Sequence, residues 1–368
     1  MREQGIDVVD LAAGEPDGPT PEAVCEAGTR AIREGRTKYT ATAGIPELRE
    51  RISRKLWEEN GVRVPPEGVV VGCGAKHCLY GALMTLLEPG DEALLLAPFW
   101  MTYEEQVRLA GATPIVVQSS PESGFVPDPD SIRSSITQRT KAIVINTPCN
   151  PSGAVFDRKS LKEIAALALR HGLWIVSDEI YEMLVYEGRH ESPAALSEEV
   201  AAQTVLVNGC SKSFSMTGWR VGYAGAPVQV AKAIANLQDQ ITSNASTISQ
   251  YAALQALDTP ANEIEAWRLE FLARRDLMLT LIREIPGLRA QTPNGAFYVL
   301  ADVRNRLGES FASDAELATY LLEEAHVATI PGSVFHGPGH LRLSYATSRK
   351  QIEAGVARLA SALSKLDR

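Results

Sequence analysis

No run of about 18 consecutive apolar residues occurs in this chain, so it offers no candidate transmembrane helix. Positive charge is in deficit. Thirty-six Lys and Arg stand against 45 Asp and Glu, for a net charge of −9 and a pI near 5.3. Nucleic acid and anionic membrane both call for a basic face, so neither is an expected partner. Cysteine is scarce: Cys25, Cys73, Cys78, Cys149 and Cys210 are odd in number, scattered, and form no CxxC. That excludes a disulfide framework and fits a reducing cytoplasm. Cys73 and Cys78 read as small core residues, Cys149 and Cys210 as small residues lining a site. His336 and His340 share a Gly/Pro loop with no neighbouring carboxylate, short of the three or four ligands zinc takes, so no metal is expected. The first seven residues lack the apolar core of a signal peptide.

What is present is an ordinary globular composition, 45% hydrophobic and 22% charged over 368 residues. That length suits two or three domains of ~100–200 residues. From about residue 65 to 225, short apolar runs alternate with helix-like stretches. Strands are expected at 69–71, 93–96, 114–117, 142–145, 173–176 and 205–207, and helices at 75–87, 103–110 and 161–171. Continuous apolar strands alternating with helices predict an α/β architecture: a buried, mostly parallel sheet covered by helices. A helix-rich stretch follows over 228–257 and 263–285, its second helix a connector with Arg274 and Arg275 on the wet side. Beyond Pro286-Gly287 the texture changes. Strands at 297–300, 327–330 and 341–344 and helices at 315–325 and 351–363 predict a smaller α+β unit.

The chemistry-bearing residues sit where strands end. The stretch 205–207 empties into small residues, then Ser211-Lys212, and Arg220 follows eight residues on. The carboxyl end of a strand in an α/β sheet is where such sheets bind ligands. A lysine there can become an amine nucleophile that forms a Schiff base. Arg220 adds a fixed cation for a phosphate, and the pair is the minimum kit for pyridoxal phosphate. The strand at 173–176 leads to Asp178, a carboxylate able to pair with a protonated pyridine nitrogen or to cap a helix. Tyr181 lies three residues on, at helical spacing. The strand at 142–145 opens into the loop of Asn146 to Gly153, whose two prolines stiffen it around Asn150. Gly74-Ala75-Lys76 opens a helix after a strand, a phosphate seat. A dinucleotide fingerprint is absent: Gly72-Cys-Gly-Ala-Lys-His77 has His77 where a third glycine belongs and no acidic partner about 20 residues on.

Ordered along nearly the whole chain are Ala13-Gly-Glu-Pro-Asp17, Lys38-Tyr-Thr40, Gly44-Ile-Pro-Glu-Leu-Arg49, Gly74-Ala-Lys76, Ala97-Pro-Phe-Trp100, the Asn146–Gly153 loop, Ser177-Asp-Glu-Ile-Tyr-Glu182, Asn208 to Lys212, Met216 to Tyr223, Gly295-Ala-Phe-Tyr298 and Leu341 to Ser348. This set resembles the class I aminotransferases of pyridoxal-phosphate fold type I, and among them the bacterial-type aspartate enzymes, some of which accept prephenate. The resemblance implies a large cofactor-binding domain over 20–270 and a small domain from 1–19 and 271–368. It implies a ping-pong exchange of nitrogen between amino acids and 2-oxo acids. It makes Lys212, beside Ser211, the Schiff-base lysine and proton carrier, and Asp178 the partner of the pyridinium. Tyr181 and Asn150 would hydrogen-bond the 3′ oxygen, and Trp100 would stack on the ring. Arg220 and the backbone of Gly74, Ala75 and Lys76 would hold the phosphate. Tyr39 would reach the cofactor of a partner subunit, implying a homodimer. Arg342 would clamp the substrate α-carboxylate, its side chain pointing opposite to Leu341 and Leu343. Gly14 would close over the substrate, and Lys76 would pair with a distal carboxylate.

Two departures stand out. The family carries an N-terminal arm ahead of the Gly14 motif, and here that motif comes almost at once, so either the start lies upstream or the site is more open. His77 stands where glutamine is usual. The same fold also runs aromatic or prephenate transamination and C–S lysis, and a non-catalytic ligand-binding module is a further alternative.

Overall fold

The computed structural model describes residues 1–308 and 310–366. Its strands are β1 (Val9–Asp10), β2 (Val69–Gly72), β3 (Glu92–Leu96), β4 (Thr113–Val117), β5 (Thr140–Asn146), β6 (Trp174–Asp178), β7 (Thr204–Gly209), β8 (Gly222–Gly225), β9 (Arg289–Ala290), β10 (Tyr298–Asp302), β11 (Val327–Ala328), β12 (Ile330–Pro331) and β13 (His340–Ser344). Seven form one sheet in the order β2-β8-β7-β6-β5-β3-β4. All neighbours from β7 to β4 are parallel, and β8 runs antiparallel to both β2 and β7. Strands such as Val69–Gly72 and Glu92–Leu96 are buried at every position, as a sheet covered on both faces requires. Helix ends follow local chemistry. In Arg158–His171, the Asp157 carboxylate accepts from the Ser160 amide at 2.7 Å, and Gly172 ends the helix at φ 66°.

The expected strands and helices between 65 and 225 are all present, joined by the unexpected short helices Pro129–Ser135, Glu198–Ala201 and Cys210–Ser213 and by one unexpected strand. β8 escapes sequence reading because two of its four residues are glycine and it is too short to show a period. Those glycines have a packing reason. Gly222 pairs with Gly72 on one side and Gly209 on the other, so three adjacent strands lack side chains at one level. A Cβ on Gly222 would stand 2.2 Å from the Ala75 amide nitrogen. The helix Ala75–Leu86 therefore starts directly against bare sheet.

A second, four-stranded antiparallel sheet has the order β12-β13-β10-β9, and β1 pairs in parallel with β11, which ties the N-terminal residues to the C-terminal unit. The helix Ala261–Arg283 runs across the expected division at residue 270. Arg275 on it is not on the wet side: it is buried, donates to the Pro293 carbonyl at 3.0 Å and lies over the Tyr186 ring. The stretch 228–257 is two helices, Val228–Ile241 and Thr247–Ala256. Helices Glu22–Arg33 and Pro46–Asn60 precede the large sheet in the chain.

Gly222→Ala is expected to cost on the order of 1–3 kcal/mol of stability, because the clash is with backbone and not with a movable side chain. A lowered melting temperature checks this; an unchanged one would show that the helix start can retreat without loss.

Candidate active site

Three parallel strands end side by side, and the last residues of β5 and β6, Asn146 and Asp178, face one cavity. In register, Asn146 of β5 lies opposite Asp178 of β6, and Asp178 opposite Val207 of β7, two residues before Gly209. The short helix Cys210–Ser213 then carries Lys212 over the strand ends. A cavity of about 540 Å³ is lined by Gly14, Ala75, Lys76, Trp100, Asn150, Asp178, Tyr181, Ser211, Lys212, Arg220 and Arg342. The structure thus brings together all but two, Gly74 and Tyr39, of the residues to which the resemblance gave a role in binding or catalysis. Gly74 lies just behind, with the Arg220 guanidinium where its Cβ would be. Tyr39 is not in the cavity; it is 88% exposed, in a surface hollow with Lys38 and Thr247.

Asp178 is fully buried. Tyr103 Oη donates to its Oδ2 at 2.7 Å, and its Oδ1 accepts from the Ile180 amide at 3.2 Å, so the residue both braces the turn and faces the cavity. Burial raises its pKa from the usual carboxylate value to about 6, against the pull of the Tyr103 hydrogen bond. Lys212 moves the other way: burial lowers its amine to about 8, opposed by Glu15 and Asp178. Roughly a tenth of that amine is neutral at pH 7. Lys212 Nζ donates to the Gly14 carbonyl at 2.5 Å.

Arg342 is a buried cation, and among the described residues no carboxylate pairs with it. Nη1 donates to Asn150 Oδ1 at 2.9 Å, Nη2 to the Ala12 carbonyl at 2.7 Å, and Nε is buried with no partner. Its guanidinium lies 4.4 Å from the Tyr298 ring centre. Because Asn150 gives its oxygen to Arg342, its NH2 group is the end left to serve the cavity. Arg220 has left-handed backbone, φ 57°, and donates to the Thr217 carbonyl at 2.7 Å. It stands beside the start of helix Ala75–Leu86, whose Gly74 offers no side-chain cap, so a cation and free backbone N–H groups meet at one point. Lys76 Nζ lies 4.6 Å from the Trp100 ring centre.

Several residues went unassigned in sequence. Tyr103, three residues after Trp100, is the donor to Asp178; its spacing from Trp100 was the available signal. Tyr298 Oη lies 2.9 Å from Tyr181 Oη. Glu15 accepts from Thr217 Oγ1 at 2.6 Å, which draws the segment around Gly14 across the cavity mouth. Tyr181 reaches the cavity from a hydrogen-bonded turn and not from a helix. His77 acquires a role: its Nδ1 accepts from the Cys73 amide at 3.2 Å, and burial lowers its pKa, which keeps that acceptor free of a proton. Cys149 and Cys210 do not line the cavity. Both are buried, and the Cys210 thiol is pushed up to about 12. Cys73 is only half-buried. His336 does find a carboxylate, Glu104, 2.8 Å away and distant in sequence.

The sequence profile of the family described as aminotransferase class I and II matches residues 6–359. A probable aspartate/prephenate aminotransferase from Aquifex aeolicus is 45% identical over 100% of this chain and 93% of its own length. The solved aspartate aminotransferase of Thermus thermophilus with maleate has a TM-score of 0.93 at 46% identity, covering 98% of this chain and 93% of that one. An aromatic aminotransferase from Pyrococcus horikoshii has a TM-score of 0.94 at 35% identity, covering 100% and 98%.

Asp178 binds its proton more tightly folded than unfolded, so its contribution to stability is present at low pH and is lost as pH rises through about 6. Tyr103→Phe removes the donor to the charged form. The expected loss of stability is about 1.5–3 kcal/mol at pH 8 and smaller at pH 5, where Asp178 is protonated. Melting curves of wild type and variant at both pH values check this; equal losses would contradict it.

Proposed function

This chain belongs to the class I and II aminotransferases, and on that premise we propose that it moves an amino group between an L-amino acid and a 2-oxo acid, with aspartate and 2-oxoglutarate as the pair and pyridoxal 5′-phosphate as cofactor. One observation carries the proposal. A lysine of lowered pKa, a buried carboxylate with no cation bound to it and a buried arginine with no carboxylate share one cavity. Each lacks the partner that this chemistry supplies: a carbonyl carbon, a ring N–H⁺ and a substrate carboxylate.

The residues fit the cofactor. Asp178 would hold the ring nitrogen, Trp100 the ring face, Tyr181 and the Asn150 amide the 3′ oxygen. Arg220, Ser211 and the backbone of Gly74, Ala75 and Lys76 would hold the phosphate. When bound, pyridoxal phosphate supplies an electron sink for the bonds at the substrate Cα. Lys212 would hold the cofactor through its amine and, as a free neutral amine, would take up and return the proton at the substrate Cα. Arg342 would fix the α-carboxylate through its guanidinium and so set which Cα bond faces Lys212. Gly14 and the Glu15–Thr217 contact would shield the cavity mouth from water.

Lys76 is proposed to take the distal carboxylate, since it is exposed, unpaired among the described residues and held over Trp100. The Thermus thermophilus relative was solved with maleate, a dicarboxylate, which supports that choice. A second reading, aromatic donors, is favoured by the apolar side chains of Met101, Ile330 and Phe335 on the same cavity. We further propose a large domain over 20–270 and a small one from 1–19 and 271–368. A cytoplasmic homodimer would place the exposed Tyr39 at the partner's cofactor.

Holoenzyme given ¹⁵N-aspartate and 2-oxoglutarate is expected to yield ¹⁵N-glutamate, and Lys212→Ala to lose a hundredfold or more of that rate, as removal of a positioned proton carrier does, on the order of 10²–10⁴. Free ammonia in place of labelled glutamate would assign a lyase. Lys76→Ala is expected to raise KM for aspartate and 2-oxoglutarate about tenfold, the worth of a charged hydrogen bond, and to leave alanine unchanged. Equal losses on all three remove Lys76 from specificity.

A further inference from the structure

We propose that His190 is a positioning residue: as an imidazolium paired with Glu179 behind the sheet, it holds the end of β6 and keeps the neighbouring Asp178 a carboxylate. This rests on the proposed function only for the identity of what Asp178 serves.

Side chains alternate along a strand, so Ser177 and Glu179 face away from the cavity that Asp178 faces. Glu179 is fully buried, and its carboxylate is held by three donors. Oε1 accepts from Ser177 Oγ at 2.8 Å and Ser192 Oγ at 2.7 Å, and Oε2 lies 2.7 Å from His190 Nε2. The backbone between the two carboxylates is pinned as well. The Glu179 amide donates to the Val207 carbonyl at 2.8 Å, and the Asp178 carbonyl accepts from Asn146 Nδ2 at 3.0 Å. Any shift of Glu179 is thus transmitted to Asp178 across one peptide.

Charge decides the protonation of His190. Its near neighbours are Glu179, Glu182 and Lys55, and an oxygen of each of the two carboxylates and a ring nitrogen of the histidine lie within 4.8 Å of one another. Lys55 Nζ donates to Glu182, and Asn60 Nδ2 donates to Glu182 Oε2. Glu59, 3.7 Å from Lys55, is more exposed. Two buried carboxylates against one ammonium leave one negative charge, and a proton on His190 cancels it. Burial opposes that proton, but Glu179 and Glu182 outweigh it and raise the His190 pKa. Nδ1 is buried and unpartnered, so an imidazolium finds no second acceptor there and its charge is balanced by the carboxylates alone. On the cavity side, Asp178 is faced by Tyr103, Lys212, Tyr181 and the thiols Cys78 and Cys149. With His190 neutral, the bare charge of Glu179 adds to the forces that protonate Asp178, and a protonated Asp178 cannot balance a ring N–H⁺.

His190→Gln keeps a donor toward Glu179 and removes the charge. In the cofactor-free protein, ¹³C–¹H NMR of the six histidines is expected to show one titrating above the ordinary histidine range and missing from the variant. In the holoenzyme, the acid limb of kcat/KM and the pH midpoint of the cofactor's visible band are both expected to rise by about one pH unit, the size of a full charge at short range in a protein. Glu179→Gln/His190→Gln removes both charges and is expected to return the limb to its original place; a purely structural role would leave the double variant as bad as the single one or worse. A His190 that titrates at or below the ordinary value, or an acid limb that does not move in His190→Gln, overturns the proposal. The NMR result needs no cofactor, so it stands or falls separately from the proposed function.

Discussion

A carboxylate taken out of water at the end of β6 is the constraint on which the site depends. Burial alone drives Asp178 toward its neutral form. The donors around it, the Tyr103 hydroxyl and the Ile180 amide, offset part of that cost and aim the remaining negative charge into the cavity. Arg342, on the same cavity, is its counterpart: a buried cation held by neutral oxygens, with no carboxylate beside it among the described residues. Charges so placed are costly to the fold unless something of opposite sign binds between them. The same desolvation lowers the Lys212 amine, so one physical cause prepares a nucleophile, a cation holder and a carboxylate clamp.

Backbone geometry makes the arrangement possible. Parallel strands β5, β6 and β7 end at one level, which places Asn146, Asp178 and the Lys212 turn within one cavity. The row of Gly72, Gly222 and Gly209 removes three side chains from the sheet beneath the helix start at Ala75. With the sheet bare, the helix comes down onto it, and its free N–H groups meet Arg220, whose left-handed backbone turns the guanidinium back toward Gly74. The small sheet brings Arg342 to the same cavity on β13, and β1, paired with β11, leads the chain toward Gly14.

Much of this was legible in the amino-acid order, for stated reasons. Strands such as Val69–Gly72 and Thr140–Asn146 announce themselves as unbroken apolar runs, and Lys212, Asp178 and Asn150 are polar residues placed where such runs stop. Arg342 was readable from its alternation with Leu341 and Leu343. β8 was hidden because glycine shows neither period nor propensity, and its role emerges only when two other glycine-bearing strands lie beside it. Tyr103 was hidden because its partner lies 75 residues away, and a helical tyrosine reads as packing until the contact is seen. Arg275 was misplaced on the wet side because sequence does not reveal Pro293 and Tyr186 as its cover. Cys149 and Cys210 stand next to site residues in the chain, yet the loop after β5, where the Cys149 thiol donates to the Pro98 carbonyl, and the turn after β7 bury them outside the cavity. Tyr39 was assigned from the resemblance alone, and the single chain leaves it exposed on the surface, outside the cavity.

The central claim is that Lys212, Asp178 and Arg342 form one pyridoxal-phosphate site that takes nitrogen from a dicarboxylic amino acid. The most direct measurement is the visible absorption spectrum of the purified protein, recorded with pyridoxal phosphate before and after addition of L-aspartate. The account predicts a visible band that depends on Lys212 and moves to the shorter-wavelength pyridoxamine form when aspartate is added without a 2-oxo acid. A protein that develops no such band with the cofactor in excess, or whose band is untouched by aspartate, would contradict it.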